Sequence, residues 1–313
     1  MPILYPKVDC YKKGYLAVSE GHKLYFELCG NPKGKPVMFL HGGPGAGISE
    51  RDRGFFNPKL YDIILFDQRG AGRSKPFVSL KNNTTYKLIQ DIRKILRFLR
   101  IKKVFLFGGS WGSTLALAYA IKYPKTVSGM LLRGIYLARP KDDEHYLSYA
   151  KRFNPEAWHR LMNNVPKEYR KEVISYYHKQ MQSKNLKIRN KFAYEWARYE
   201  ISISRLNITE EDIEKVLKSF SYKSLSILEV YYLKNKCFLQ PNYILKNAHK
   251  ISKIPISIVH GKYDLICPPE AAYELNKKLR NSKLYFVVAG HSVSEKEIQK
   301  KLVFEMDKIY KII

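Results

Sequence analysis

The stretch Gly108-Gly109-Ser110-Trp111-Gly112-Ser113 decides the reading of this 313-residue chain. Ser110 stands between Gly108 and Gly112 in a Gly-x-Ser-x-Gly pentapeptide. The apolar run Val104-Phe105-Leu106-Phe107 precedes it, and the helix-like Ser113-Thr114-Leu115-Ala116-Leu117-Ala118-Tyr119-Ala120 follows. Strand, sharp turn and helix is the setting in which this pentapeptide lifts a serine hydroxyl clear of the backbone. The pentapeptide alone is weak, since Gly-rich turns produce it by chance. Its flanks, and what lies downstream, give it weight.

A serine hydroxyl is a poor nucleophile at neutral pH and needs a base, which needs an orienting acid. Both are found in the order Ser, Asp, His. Asp264 ends the apolar segment Ile256-Ser257-Ile258-Val259-His260-Gly261-Lys262-Tyr263-Asp264. His291 ends Leu284-Tyr285-Phe286-Val287-Val288-Ala289-Gly290-His291 and is the only histidine after Asp264. Ser110 is therefore read as nucleophile, His291 as general base and acid, and Asp264 as orienter. His41 and His260 precede glycines at strand ends and read as loop-fixing; His22, His145, His159, His178 and His249 show no partner pattern. An oxyanion needs donors. The backbone N–H of Trp111 is one, and Gly43, in His41-Gly42-Gly43-Pro44-Gly45, is the second. That Gly-rich loop lacks the Lys-Ser/Thr ending of a phosphate loop.

Outward from this site, Lys23–Leu28 alternates as an antiparallel strand, while Val37–Leu40, Ile63–Phe66, Val104–Phe107 and Val127–Leu132 are short buried strands. Leu88, Ile92, Ile95, Leu96 and Leu99 recur at helical spacing. Apolar strands alternating with helices indicate a mainly parallel sheet covered on both faces. From Ala138 to Lys250 strand signals vanish and Tyr, Lys, Glu and Trp recur at helical spacing, with Thr209 placed to cap a helix. The alternation resumes after Ile254-Pro255. The expected fold is α/β, similar to the α/β-hydrolase fold. Residues 1–137 and 251–313 form the catalytic domain, and residues 138–250 form an inserted helical cap.

Net charge is +28. Basic surfaces bind phosphate backbones and anionic membranes, but here the lysines are dispersed in pairs such as Lys277-Lys278 and Lys300-Lys301, without a basic tail. Abundant Lys, Ile, Asn and Tyr also follow from an A/T-rich coding bias, so nucleic acid is not the expected partner. The chain shows no apolar run of membrane-spanning length and no signal-peptide core at Met1-Pro2-Ile3-Leu4-Tyr5-Pro6-Lys7, so a cytoplasmic location is expected. Cys10, Cys29, Cys237 and Cys267 are scattered and read as free thiols, with no metal or organic cofactor expected.

Several motifs together carry a family resemblance: His41-Gly42-Gly43-Pro44-Gly45, Asp67-Gln68-Arg69-Gly70-Ala71-Gly72-Arg73-Ser74, Gly108 through Tyr119, Leu132-Arg133-Gly134-Ile135, and Gly290-His291-Ser292. They resemble the proline iminopeptidases, and the likeness runs from Tyr11 to Ile309. His260-Gly261-Lys262-Tyr263-Asp264 with Cys267-Pro268 is similar to that family's acid-bearing turn. The resemblance implies a serine aminopeptidase acting on peptides with a free N-terminal proline. It also implies that Glu200 and Glu229 hold the substrate amine; by spacing alone each reads as a solvated helix residue. Arg69 and Arg133 match family positions and read as structural. Tyr199 stands where the family has tryptophan, and Val-Tyr-Tyr-Leu follows Glu229 where the family more often has Asn-His-Tyr-Phe, which bears on the pocket's shape. An esterase or broader aminopeptidase with the same triad is the alternative within the fold; a basic nucleic-acid-binding protein is the alternative outside it. Homo-oligomerisation is left open.

Overall fold

The computed structural model describes residues 3–6 and 8–311. Its centre is an eight-stranded sheet. The strands are β1 (Cys10–Ala17), β2 (Lys23–Gly30), β3 (Lys35–Leu40), β4 (Tyr61–Phe66), β5 (Val104–Ser110), β6 (Val127–Ile135), β7 (Ile256–Gly261) and β8 (Ser282–Val287). Their spatial order is β1-β2-β4-β3-β5-β6-β7-β8. β1 and β2 are antiparallel to each other and β2 is antiparallel to β4; every other pairing is parallel. The central strands are buried along their length because helices cover both faces, which is why β3, β4, β5 and β7 read as continuous apolar runs.

The helices are α1 (Thr85–Phe98), α2 (Trp111–Lys122), α3 (Pro140–Glu144), α4 (Pro155–Asn163), α5 (Val173–Met181), α6 (Leu186–Ile203), α7 (Glu210–Ser219), α8 (Tyr222–Lys234), α9 (Tyr243–Asn247), α10 (Pro269–Lys278) and α11 (Lys296–Ile309). α1 buries Leu88, Ile89, Ile92, Ile95 and Leu96 on one stripe. α2 is buried from Trp111 to Ile121, so it shows no amphipathic pattern. Seven helices, α3 to α9, lie between β6 and β7. Tyr146, Leu161, Tyr177, Trp196, Tyr199 and Val230 form a hydrophobic cluster of their own there. Ile244 of α9 instead packs into the sheet's core, with Ala248 and Ile251 beyond it. Thr209 caps α7: its hydroxyl accepts from the Asp212 N–H at 3.1 Å.

Two features differ from the sequence reading. β1 is an additional edge strand whose Lys12, Lys13 and Tyr15 hide the pattern, since an edge strand in solvent needs few apolar positions. The free-thiol expectation holds for the buried Cys237 and Cys267 but not for Cys10 and Cys29. Those two are cross-strand partners in the β1–β2 ladder and form a disulfide, a proximity set by register that spacing does not reveal.

Candidate active site

Ser110 ends β5 and leads directly into α2, with backbone angles φ 56° and ψ −129°. A non-glycine residue in so sparsely populated a conformation costs of order 1–3 kcal/mol, which the surrounding packing must hold in place. That packing leaves no room for side chains nearby. A Cβ at Gly112 would lie 2.0 Å from the Leu40 carbonyl oxygen, and one at Gly108 would lie 2.3 Å from the Gly112 oxygen. The glycines of the pentapeptide are thus required by close approach of β3, β5 and α2.

His291 and Asp264 sit beyond the C-terminal ends of β8 and β7, the edge where open α/β sheets build sites. The His291 Nδ1–H donates to Asp264 Oδ2 at 2.8 Å. Asp264 Oδ1 accepts from the N–H groups of Ile266 (2.9 Å) and Cys267 (2.8 Å). Burial alone would raise the Asp264 pKa; the charge and hydrogen bond of His291, with these backbone donors, outweigh it and bring the value down to about 2. Asp264 is therefore a fixed anion that holds the imidazole with its proton on Nδ1. Gly134 makes room for this pair, since a Cβ there would stand 3.0 Å from His291 Cε1.

Ser110 and His291 line the same cavity, together with Gly43, Arg133 and Glu200. The His291 Nε2 lone pair is taken by Arg133, whose Nη1 donates to it at 3.0 Å and to the His291 carbonyl at 2.9 Å. The Ser110 hydroxyl stands beside the Cys267 thiol, which burial pushes well up, so that it is neutral. Among the described hydrogen bonds, then, the Ser–Asp–His set is joined at Asp264–His291 and adjacent but unjoined at Ser110–His291. Ligand atoms of Asp264, Cys267 and His291 lie within 4.8 Å of one another. The neutral thiol and the committed carboxylate suit the orienting role better than metal ligation.

The Gly43 loop comes up beside Ser110: a Cβ on the neighbouring Gly42 would be 3.4 Å from Ser110 Cβ. The N–H groups of Gly43 and Trp111 have no carbonyl partner among the described loop and turn bonds. For Trp111 this follows from its place at the start of α2. His41 fixes the loop from behind, its Nδ1–H donating to the Gly42 carbonyl at 2.9 Å while Nε2 accepts from the Gln68 N–H at 2.9 Å. Gln68 also accepts from the Trp111 indole at 2.9 Å, tying the loop to the elbow. His260 is likewise structural, accepting from the Ile135 N–H at 3.0 Å and donating to the Cys267 carbonyl at 3.0 Å.

The helices between β6 and β7 bring Glu200, on α6, and Glu229, on α8, to a cavity that also holds Ser110, Gly43, Asp143 and Tyr146. Contacts at both helices set this position. The Ser204 carbonyl, just past α6, accepts the N–H groups of His291 (2.8 Å) and Ser292 (2.7 Å). The Ser224 hydroxyl, near the start of α8, donates to the Gly45 carbonyl at 2.8 Å. Glu200 Oε2, Glu229 Oε2 and the Tyr146 hydroxyl are buried without a partner. Burial and the neighbouring Glu200 raise the Glu229 pKa well above its ordinary value. Among the described residues, the lining of this cavity thus holds carboxylates with buried, unused acceptor atoms and no cationic side chain.

Sequence reasoning missed several members of this cavity, Tyr146 among them. Asp143 was hidden in the acidic run Asp142-Asp143-Glu144, which looks solvated; its carboxylate accepts from the Tyr136 hydroxyl at 2.6 Å, and burial pushes its pKa up to about 7. Tyr136 and Cys237 line the same wall. Arg69 does have the structural role read for it, donating to Asp91 from Nε (2.6 Å) and Nη2 (2.8 Å). Arg133 does not simply link loops, as it lies on the imidazole.

Sheet order, elbow and helical insertion define an α/β-hydrolase. The family described as α/β hydrolase fold matches residues 35–297. An esterase from Exiguobacterium antarcticum superimposes with TM-score 0.68 at 20% identity, over 96% of this chain and 100% of that one, which speaks for the fold alone. Curated relatives are much nearer in sequence. The proline iminopeptidase of Xylella fastidiosa is 40% identical over 310 residues, spanning 98% of this chain and 99% of its own. That of Neisseria meningitidis is 41% identical over 305 residues, 96% of each. The chain belongs to the proline iminopeptidase family of α/β-hydrolases.

Proposed function

We propose that this enzyme releases proline from the free N-terminus of peptides, through a serine acyl-enzyme. The observation that carries the specificity is the pair Glu200 and Glu229, whose Oε2 atoms are buried without a hydrogen-bond partner and which both line the cavity of Ser110. A buried carboxylate pair without a counter-charge is costly, and a prolyl ammonium supplies that charge. The aromatic side chains of Tyr136, Tyr146 and Tyr232 around it enclose an apolar ring. Residues 138–250 act as the cap that brings these groups over the catalytic domain.

In this mechanism the Ser110 oxygen attacks the prolyl carbonyl as His291 Nε2 takes the hydroxyl proton. The N–H groups of Gly43 and Trp111 receive the oxyanion; losing one such donor costs roughly 2.7–4 kcal/mol of transition-state stabilisation. The imidazolium, steadied by Asp264, gives its proton to the departing amine. A water deprotonated by the same nitrogen then hydrolyses the prolyl ester and restores Ser110. The Ser110–His291 bond forms once Arg133 leaves Nε2.

The test compares a prolyl amide with its N-acetylated form. Cleavage of the free amine alone is expected, and Glu200→Gln and Glu229→Gln should each lower its kcat/KM by at least about tenfold, the scale of one charge-assisted hydrogen bond. Equal cleavage of the blocked substrate contradicts amine recognition and favours an esterase of the same fold.

A further inference from the structure

Arg133 is the anomaly of this site. Five arginines are described as buried: Arg53, Arg69, Arg133, Arg139 and Arg198. Four of them are ion-paired: Arg53 to Glu27, Arg69 to Asp91, Arg139 to Asp142 and Arg198 to Glu214. Arg133, 9% exposed near the end of β6, is in no ion pair among the described residues, and its Nε has no partner. Asp264 acts on it only from across the imidazole, and burying a guanidinium with no anion in direct contact is expensive. Its one described side-chain hydrogen bond, from Nη1 at 3.0 Å, is to His291 Nε2.

The place of that contact identifies the missing anion. On the reading above, Nε2 is the atom that protonates the departing amine, so that amine must come to within a hydrogen bond of it. In an amino acid the α-carboxylate is only two bonds from its amine, about 1.46 and 1.52 Å long. A substrate of two residues therefore brings a free carboxylate into the neighbourhood that the guanidinium already occupies. Longer peptides and amides put a neutral group there. Charge is graded accordingly across Ser110: Glu229 lines only the side where the amine is read to bind, Glu200 lines both sides, and Arg133 and Arg205 line only the His291 side. Asp52 lines that side too, but its carboxylate is engaged by the Ser49 N–H (2.7 Å) and hydroxyl (3.0 Å). A zwitterionic dipeptide matches this gradation.

We propose that Arg133 recognises the free α-carboxylate of a dipeptide substrate, and that this carboxylate draws the guanidinium off His291 Nε2 as the substrate binds. A carboxylate accepts two guanidinium hydrogen bonds in a planar fork, against one for an imidazole nitrogen. The exchange therefore fills the Arg133 fork and frees the base in one step. This rests on the assignment of Ser110 and His291 given above.

The experiment measures proline release from prolylalanine and from prolylalaninamide. With the wild-type enzyme, kcat/KM for the acid should exceed that for the amide by at least about tenfold, the scale of one charge-assisted pair. In Arg133→Gln this ratio should fall to near one, chiefly through a higher KM for the acid. Equal rates in the wild type, or a ratio that survives in Arg133→Gln, overturn the proposal. Should Arg133→Gln not fold, inhibition of wild-type prolylalaninamide cleavage by alanine and by alaninamide serves instead: alanine should inhibit at least about tenfold more strongly, and equal inhibition overturns the proposal. Failure of the peptidase reading looks different, because the wild type then releases proline from neither substrate.

Discussion

Glu229 carries a carboxyl that burial and the nearby Glu200 push well above its ordinary value of 4.5. Such a group binds its proton more tightly folded than unfolded, so stability is full below about pH 4.5 and declines as pH rises above it. Glu229→Gln should therefore raise the melting temperature of the substrate-free enzyme at pH 8 while impairing cleavage of free-amine substrates, a separation that thermal scans and kinetics read independently. Asp143 gives a more defined window, because its value is brought from 3.8 up to about 7. Between those limits the unfolded chain is ionised and the folded one is not, so stability falls with rising pH and levels off above about 7. Asp143→Asn should flatten that slope while its amide oxygen still accepts from Tyr136; an unchanged pH profile of melting would contradict the burial of this carboxyl. Neither behaviour was legible in the sequence. Glu200 and Glu229 were found only through family likeness, and Asp143 not at all, because a helical acid shows its burial only once its neighbours are in place.

At the level of elements, the elbow was the most legible part of the chain. Gly108, Ser110 and Gly112 name their own constraint, since the approach of Leu40 to Gly112 admits no side chain. Gly112→Ala should cost at least about 1–3 kcal/mol in urea unfolding, the usual range for overpacking a tight site, and should also lower turnover. Full stability in this variant would mean that the β3–α2 contact is looser than described. The strands that carry Ser110, Asp264 and His291 were legible for a related reason: buried parallel strands are short, apolar and punctuated by glycine. β1 was not, because a lysine-bearing edge strand lacks that signature. The seating of the helical insertion was equally hidden. It depends on the Ser204 carbonyl, which accepts the N–H groups of His291 and Ser292, and on Ser224 beneath Gly45. Backbone acceptors of this kind leave no trace in residue type.

For the whole molecule, the net charge of +28 is the feature most open to a different interpretation. A dispersed basic surface binds duplex DNA only through phosphates, with dissociation constants of roughly 10⁻⁴–10⁻⁶ M at physiological salt and steep weakening as salt rises. Titration of a labelled random duplex at increasing salt should show this behaviour; tight, salt-resistant binding would support the nucleic-acid reading instead. No helix among the described residues is long and apolar enough to cross a membrane. Fold alone does not fix the chemistry. On the proposed function, the chemistry lies in the groups that one sheet edge and two helices bring around a single hydroxyl. The most direct test is therefore proline release from a prolyl amide by Ser110→Ala beside the wild type, with folding checked by circular dichroism. A folded variant with turnover lower by a factor of roughly 10⁴–10⁶ is the expected result, and a folded variant retaining turnover within tenfold of the wild type would contradict the account.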